Sequence, residues 1–192
     1  MSELIRCFIA IRIPGFDPLR RVLKELAQMG RALKAVEPGN LHVTLKFLGD
    51  TDVNRISQIG SLVEQVAQSR QPCVVKVAGL GVFPHLERPN VVWAGLEGAE
   101  TLAAIAADLE TGLEEFGFAR EYRPFVPHLT LARVKARPPE SLRPLLSRHA
   151  KTDFGTATID QVELIRSELG PEGSKYTVLT SVPLRGGMAQ HE

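Results

Sequence analysis

The chain has 192 residues, with 23 Lys and Arg against 22 Asp and Glu, for a formal charge of +1. That balance excludes recognition of nucleic acid by bulk basicity, so any positive potential offered to a phosphate has to be local. A hydrophobic content of 44% is enough for a core in one domain or in two small lobes.

Residues 6–13 (RCFIAIRI) are dense in β-branched and aromatic side chains and stop at Pro14-Gly15, which predicts a first strand. Leu19, Val22, Leu23, Leu26 and Met29 then fall at helical spacing, between Asp17 as a candidate cap and Gly30 as a terminator. Residues 33–36 predict a short strand, and Glu37-Pro38-Gly39-Asn40 turns the chain into a strand over 42–48, closed by Gly49-Asp50. Val53, Ile56, Ile59, Gly60, Val63 and Val66 predict a long surface helix. A strand over 73–77 follows and residues 91–96 supply its hairpin partner. Between them, Gly79-Leu80-Gly81 reads as a turn, being too short and wrongly placed for a phosphate-binding loop.

Leu102, Ile105, Ala106, Leu109 and Leu113 mark a third helix that stops at about Gly117. Residues 122–127 carry two prolines, each of which biases its predecessor away from helix, and so form an extended lead-in to a strand from His128. A short helix after Pro138-Pro139, two strands over 156–167 and 175–184 joined at 170–173, and a frayed tail from 186 complete the chain. The order predicts two similar halves, with no flexible linker, packed as one unit.

The pattern that recurs most cleanly is His42-Val43-Thr44-Leu45 and His128-Leu129-Thr130-Leu131. In a strand, alternate side chains share a face, so each tetrad presents an imidazole and a hydroxyl side by side. A single His-x-Thr-x is weak evidence, because a strand histidine is more often packed or solvated than catalytic. Two copies in matching contexts are stronger. Histidine has an ordinary pKa near 6.5, so one ring can accept a proton while the other gives one. That division of labour opens a phosphodiester by in-line displacement, with the hydroxyls of Thr44 and Thr130 bonded to non-bridging oxygens. Zinc is the competing use of two histidines, but neither has a good ligand two to four residues away. The expectation is a reaction without metal.

These residues carry a resemblance. HVTLKFLG and PHLTLAR, with RCFIAIRIP before them and GVFPHLERPNVVWAGL between, resemble the bacterial and archaeal RNA 2',3'-cyclic phosphodiesterase family. That family is also called the 2'-5' RNA ligase family and belongs to the two-histidine phosphoesterase superfamily. The resemblance implies an α+β fold in a single two-lobed domain over residues 1–192, with two antiparallel sheets facing across a groove, helices outside and one tetrad per lobe. It implies that His42 is the proton donor to the leaving 3'-oxygen and His128 the proton acceptor from water. The product would be a 2'-phosphate, with 2'-5' ligation as the reverse reaction. No cofactor is implied, and the partners are RNA ends or nucleotides bearing a 2',3'-cyclic phosphate. Relatives acting on 2'-5' oligonucleotides or ADP-ribose cyclic phosphates, a non-catalytic RNA-end binding module and a metallohydrolase remain as alternatives.

Other positions divide between two readings. By the resemblance Arg133 helps to hold the phosphate, yet it stands five residues after His128 and simple alternation turns it to the other face unless the strand bulges. Lys46 shares the face of His42 by alternation and either adds charge to the groove or snorkels to solvent. Phe8 is a candidate base-stacking platform and Phe47 is assigned to the core. The basic run Arg133, Lys135, Arg137, Arg143, Arg148 and Lys151 either tracks an RNA backbone or is a solvated face. His85, His149 and His191 suggest no role. Cys7 and Cys73 stand at no metal or redox spacing, and residues 7–13 are too short and too polar at Arg12 to span a bilayer. A cytoplasmic monomer with no membrane segment is expected.

Overall fold

The structure, a computed structural model, describes residues 3–170 and 173–185. The tail from 186, with His191, and the middle of the connection at 170–173 lie outside them. Strand β1 (Leu4–Arg12) leads through Pro14-Gly15 into helix α1 (Asp17–Gln28), which buries Leu19, Val22, Leu23 and Leu26 on one face. Asp17 stands in the first turn of α1, where its charge favours the helix dipole. The cap position belongs to Phe16, which makes no side-chain bond there. Strand β2 (Leu33–Ala35) and a 3-10 turn at Pro38–Asn40 deliver β3 (His42–Asp52). This strand runs four residues past its predicted end because Gly49 adopts a positive φ and stays in register with Cys7. Helix α2 (Ile56–Gln68) follows.

Strands β4 (Cys73–Phe83) and β5 (Val91–Glu97) form the predicted hairpin, but the Gly79-Leu80-Gly81 segment does not end β4. Gly79 has φ of +70° and lies at a register shift, where an added Cβ would meet the Ala150 carbonyl oxygen at 2.8 Å. Gly81 leaves room for the Trp93 ring opposite, which a Cβ would strike at 2.2 Å. Both glycines therefore serve the inside of a strand. Helix α3 (Glu100–Glu114), β6 (His128–Val134) and α4 (Leu142–Arg148) occupy their predicted places. The strand expected over 156–167 is two strands, β7 (Asp153–Ile159) and β8 (Gln161–Gly170), divided at Asp160, and β9 (Gly173–Pro183) closes the chain.

All pairings are antiparallel, in one sheet ordered β3-β1-β8-β9 and another ordered β2-β6-β5-β4-β7. Each lobe draws strands from both ends of the chain. β2 crosses to pair with β6, and β8 and β9 return to pair alongside β1. The structural halves are thus not the sequence halves, which is why the two halves share little beyond the tetrads. Helices α2 and α3 cover the first sheet, while α1 and α4 pack on the second. Val43, Leu45, Leu129 and Leu131 point away from the groove into one connected apolar core that includes residues of both sheets. That placement fixes the opposite faces of β3 and β6 toward the groove. No helix among the described residues is long and apolar enough to cross a membrane.

Candidate active site

The two tetrads present their histidines in the same way. His42 Nδ1 lies 2.7 Å from the Asn40 carbonyl oxygen, and His128 Nδ1 lies 2.8 Å from that of Val126. A carbonyl only accepts, so each Nδ1 carries the hydrogen and each Nε2 is left to the groove as the atom that can exchange a proton. In both cases the partner is two residues upstream, so the chain leading into each strand sets the tautomer. Thr44 and Thr130 follow their histidines on the same partly open face.

A matching bulge decides what comes next. Ala10 pairs with Thr44 and Ile9 with Lys46, which leaves Leu45 unpaired. Trp93 pairs with Thr130 and Val92 with Ala132, which leaves Leu131 unpaired. One extra residue swaps the faces beyond it. Arg133 is thereby exposed on the His128 face, and its charge acts on His42 of the other sheet. The same swap overturns two expectations for β3. Lys46, expected on the face of His42, either in the groove or reaching solvent, is 5% exposed on the far face, where Nζ donates to Glu110 Oε1 at 2.7 Å and to the Ala119 carbonyl at 2.8 Å. It ties β3 to α3 and to the segment that leads toward His128. Phe47, expected in the core, is 54% exposed on the groove side.

Phe8 lies on the groove face, packed beneath other rings. It is 4% exposed, with ring centres 5.0 Å from His42, 6.3 Å from Phe47 and 5.2 Å from Tyr176. No open face remains for a base, so its part is to support the His42 ring. Tyr176, which sequence reasoning missed, stands edge-on to His42 at 5.4 Å. Its only sequence signal was its place in a strand. In the second lobe Phe83 meets His128 edge-on at 5.0 Å and lies 5.2 Å from Trp93.

Arg12, also missed, pairs with His42 in register and donates from Nε to Glu163 Oε2 at 2.6 Å. Glu163 is buried while Arg12 is half exposed, so the carboxylate anchors a guanidinium at the rim of the groove. Arg12, Gly39, Asn40, His42, Ile165 and Tyr176 line a cleft at this point. The pKa of His42 is pushed below its usual value first by burial and then by the charges of Arg133, Arg12 and His128, while the Asn40 carbonyl acts in the opposite direction. The ring therefore feels groups from both sheets.

The remaining candidates lie elsewhere. His85 is exposed beside Glu87, and His149 Nδ1 lies 3.1 Å from the Thr152 hydroxyl oxygen. In the basic run, Arg148 is paired with Glu25. Among the described residues no group of three or more His, Cys, Asp or Glu is placed to hold a metal ion.

A family model described as the 2'-5' RNA ligase superfamily matches residues 15–171. An RNA 2',3'-cyclic phosphodiesterase of Methanothermobacter thermautotrophicus is 35% identical over 90% of this chain and 95% of its own. A second protein of that name, from Aquifex aeolicus, is 36% identical over 80% of this chain and 82% of its own. The crystal structure of a Thermus thermophilus protein superposes with a TM-score of 0.78 at 32% identity, covering 97% of this chain and all of that one. Escherichia coli LigT, solved with 3'-AMP, shares the fold at a TM-score of 0.70 and 24% identity, over 95% and 99% of the two chains. With its paired tetrads and two-sheet α+β fold, the chain belongs to the 2'-5' RNA ligase superfamily of two-histidine phosphoesterases.

Proposed function

We propose that this protein hydrolyses the 2',3'-cyclic phosphate of an RNA end or nucleotide to a 2'-phosphomonoester, by proton transfer between His42 and His128 and without a metal. The observation that carries the proposal is the matched pair of imidazoles, both held at Nδ1 with Nε2 left for proton exchange, and the charge of Arg133 acting on His42. The printed names of the relatives describe the same substrate.

In this reading Thr44, Thr130 and Arg133 bind the non-bridging oxygens and neutralise the charge that builds on them. Nε2 of His128 takes a proton from water as the water oxygen bonds to phosphorus. The bond from phosphorus to the 3'-oxygen breaks on the opposite side, and Nε2–H of His42 protonates the leaving oxygen. His42 has to be protonated for this, although in the free protein burial and its cationic neighbours favour the neutral ring. A phosphodiester anion placed between the histidines offsets the cations and raises that pKa as the substrate binds. A 5'-hydroxyl in place of water would form a 2'-5' linkage by the same displacement. We take the two lobes to act as one domain, in a cytoplasmic monomer.

The test is incubation with a nucleoside 2',3'-cyclic phosphate in excess EDTA, resolving the 2'- from the 3'-monophosphate. A 2'-phosphate lost in both His42→Ala and His128→Ala is expected, and no product, or one that vanishes on chelation, overturns the reading. A diester whose leaving group needs no protonation separates the roles. It should restore turnover to His42→Ala and leave His128→Ala inactive.

A further inference from the structure

A second, wider cleft lies beside the one that holds His42, lined by Arg12, Gly15, Arg20, Gly39, Thr158 and Asp160 together with neighbouring prolines. The two clefts share Arg12 and Gly39, so a ligand can pass from one to the other over a single side chain. Both guanidiniums are anchored by the same atom. Arg12 Nε donates to Glu163, and Arg20 Nε donates to the Gly15 carbonyl at 2.8 Å. Each therefore keeps its terminal nitrogens for a ligand, in a fork that suits phosphate oxygens. Asp160 is the one carboxylate in the lining, and Glu163 already pairs with Arg12, so Arg20 is the cation of this cleft with no carboxylate bonded to it among the described residues. The mechanism proposed for the histidines makes no use of Arg20.

We propose that this cleft binds the phosphate on the 5' side of the terminal nucleotide, so that the protein prefers the end of an RNA chain to a free nucleoside cyclic phosphate. The inference rests on the proposed function, since it takes the terminal ribose to sit at His42. Arg12 then faces both phosphates and Arg20 faces only the upstream one.

The test compares kcat/KM for a nucleoside 2',3'-cyclic phosphate with that for the same compound bearing a 5'-phosphate. The 5'-phosphate should raise kcat/KM about tenfold, chiefly through KM, as one charged hydrogen-bonded contact does. The advantage should shrink as salt is added. In Arg20→Ala the ratio of the two substrates should fall toward one, while Arg20→Lys, which keeps the charge without the fork, should retain part of it. Equal kcat/KM for the two substrates in the wild-type protein overturns the inference and leaves the proposed function standing, and so does an Arg20→Ala variant in which both rates fall in proportion. Failure to turn over either substrate overturns both.

Discussion

The tetrad strands β3 and β6 share a local design and differ in what surrounds it. In each, the histidine Nδ1 meets the carbonyl two residues upstream, a phenylalanine ring stands 5.0 Å from the imidazole, and a bulge at the tetrad leucine swaps faces two residues on. The bulge delivers Phe47 to the groove in the first lobe and Arg133 in the second. His42 is enclosed by Phe8 and Tyr176 beside Arg12, whereas Phe83 meets His128 edge-on. The repeated backbone fixes tautomer and aim twice. The neighbours then make two chemically identical rings unequal, and in the free protein they favour the neutral form of His42.

Removal of one imidazole at a time should have the largest effect. His42→Ala and His128→Ala should each lower kcat/KM on a cyclic phosphate by about a thousandfold or more, with an unchanged melting curve. A near-normal rate in either would mean that one lobe suffices. Making the lobes alike at the bulge should come next. Arg133→Phe gives the second lobe the residue of the first and should cost about a hundredfold, the usual loss of one donor to a developing charge. Phe47→Ala should affect mainly KM, and by much less. Equal losses in the two variants would refute the asymmetry.

The sequence made the tetrads, and with them the face that carries both histidines, legible because period-two alternation is strict between irregularities. It was blind to the bulges, since Leu45 and Leu131 look like any strand leucine. For that reason Lys46 and Phe47 were expected on the wrong faces and Arg133 stood between two. The elements themselves were largely readable from periodicity, but Asp160 is too weak a breaker to separate β7 from β8. Pairing partners were out of reach, since the return of β8 and β9 to β1 is a tertiary event. Arg12 and Tyr176 went unnoticed for the same reason. Their importance comes from lying across from His42 on other strands.

The ion pair of Lys46 on the far face of β3 is tested separately. Lys46→Met keeps the stem and removes the charge that Glu110 and the Ala119 carbonyl share, leaving a partly buried carboxylate without its cation. A loss of about 2–3 kcal/mol of stability is expected in denaturant melts, with turnover of the folded protein close to normal. Preserved stability with lost turnover would return Lys46 to the groove. A smaller effect concerns pH. The pKa of His42 is lowered first by burial and then by the charges led by Arg133, so Arg133→Met should move it up toward its usual value. A donor loses activity as pH rises through its pKa. The pH profile of kcat/KM should therefore move to higher pH on the limb that His42 governs in this slower variant, and an unmoved profile would mean that Arg133 does not set the pKa of His42. Because the rings interact, each limb belongs to the pair.

Tyr176 gives the mildest perturbation and separates the causes acting on His42. Its ring covers His42 edge-on at an interplanar angle of 86° and also packs on Phe8, an arrangement worth about 1 kcal/mol beyond its area. Tyr176→Ala should therefore lower kcat/KM by only about fivefold, and Tyr176→Phe, which keeps the ring edge, by less. Yet Tyr176→Ala admits water to His42 and relieves burial, the largest cause of its depressed pKa. Its pH profile should accordingly also move to higher pH, at a much smaller cost in rate than in Arg133→Met. If the profile moves in Arg133→Met and stays in place in Tyr176→Ala, the Tyr176 ring adds nothing to the burial that lowers the pKa of His42, and the difference between the lobes lies in their arginines more than in this part of the aromatic wall.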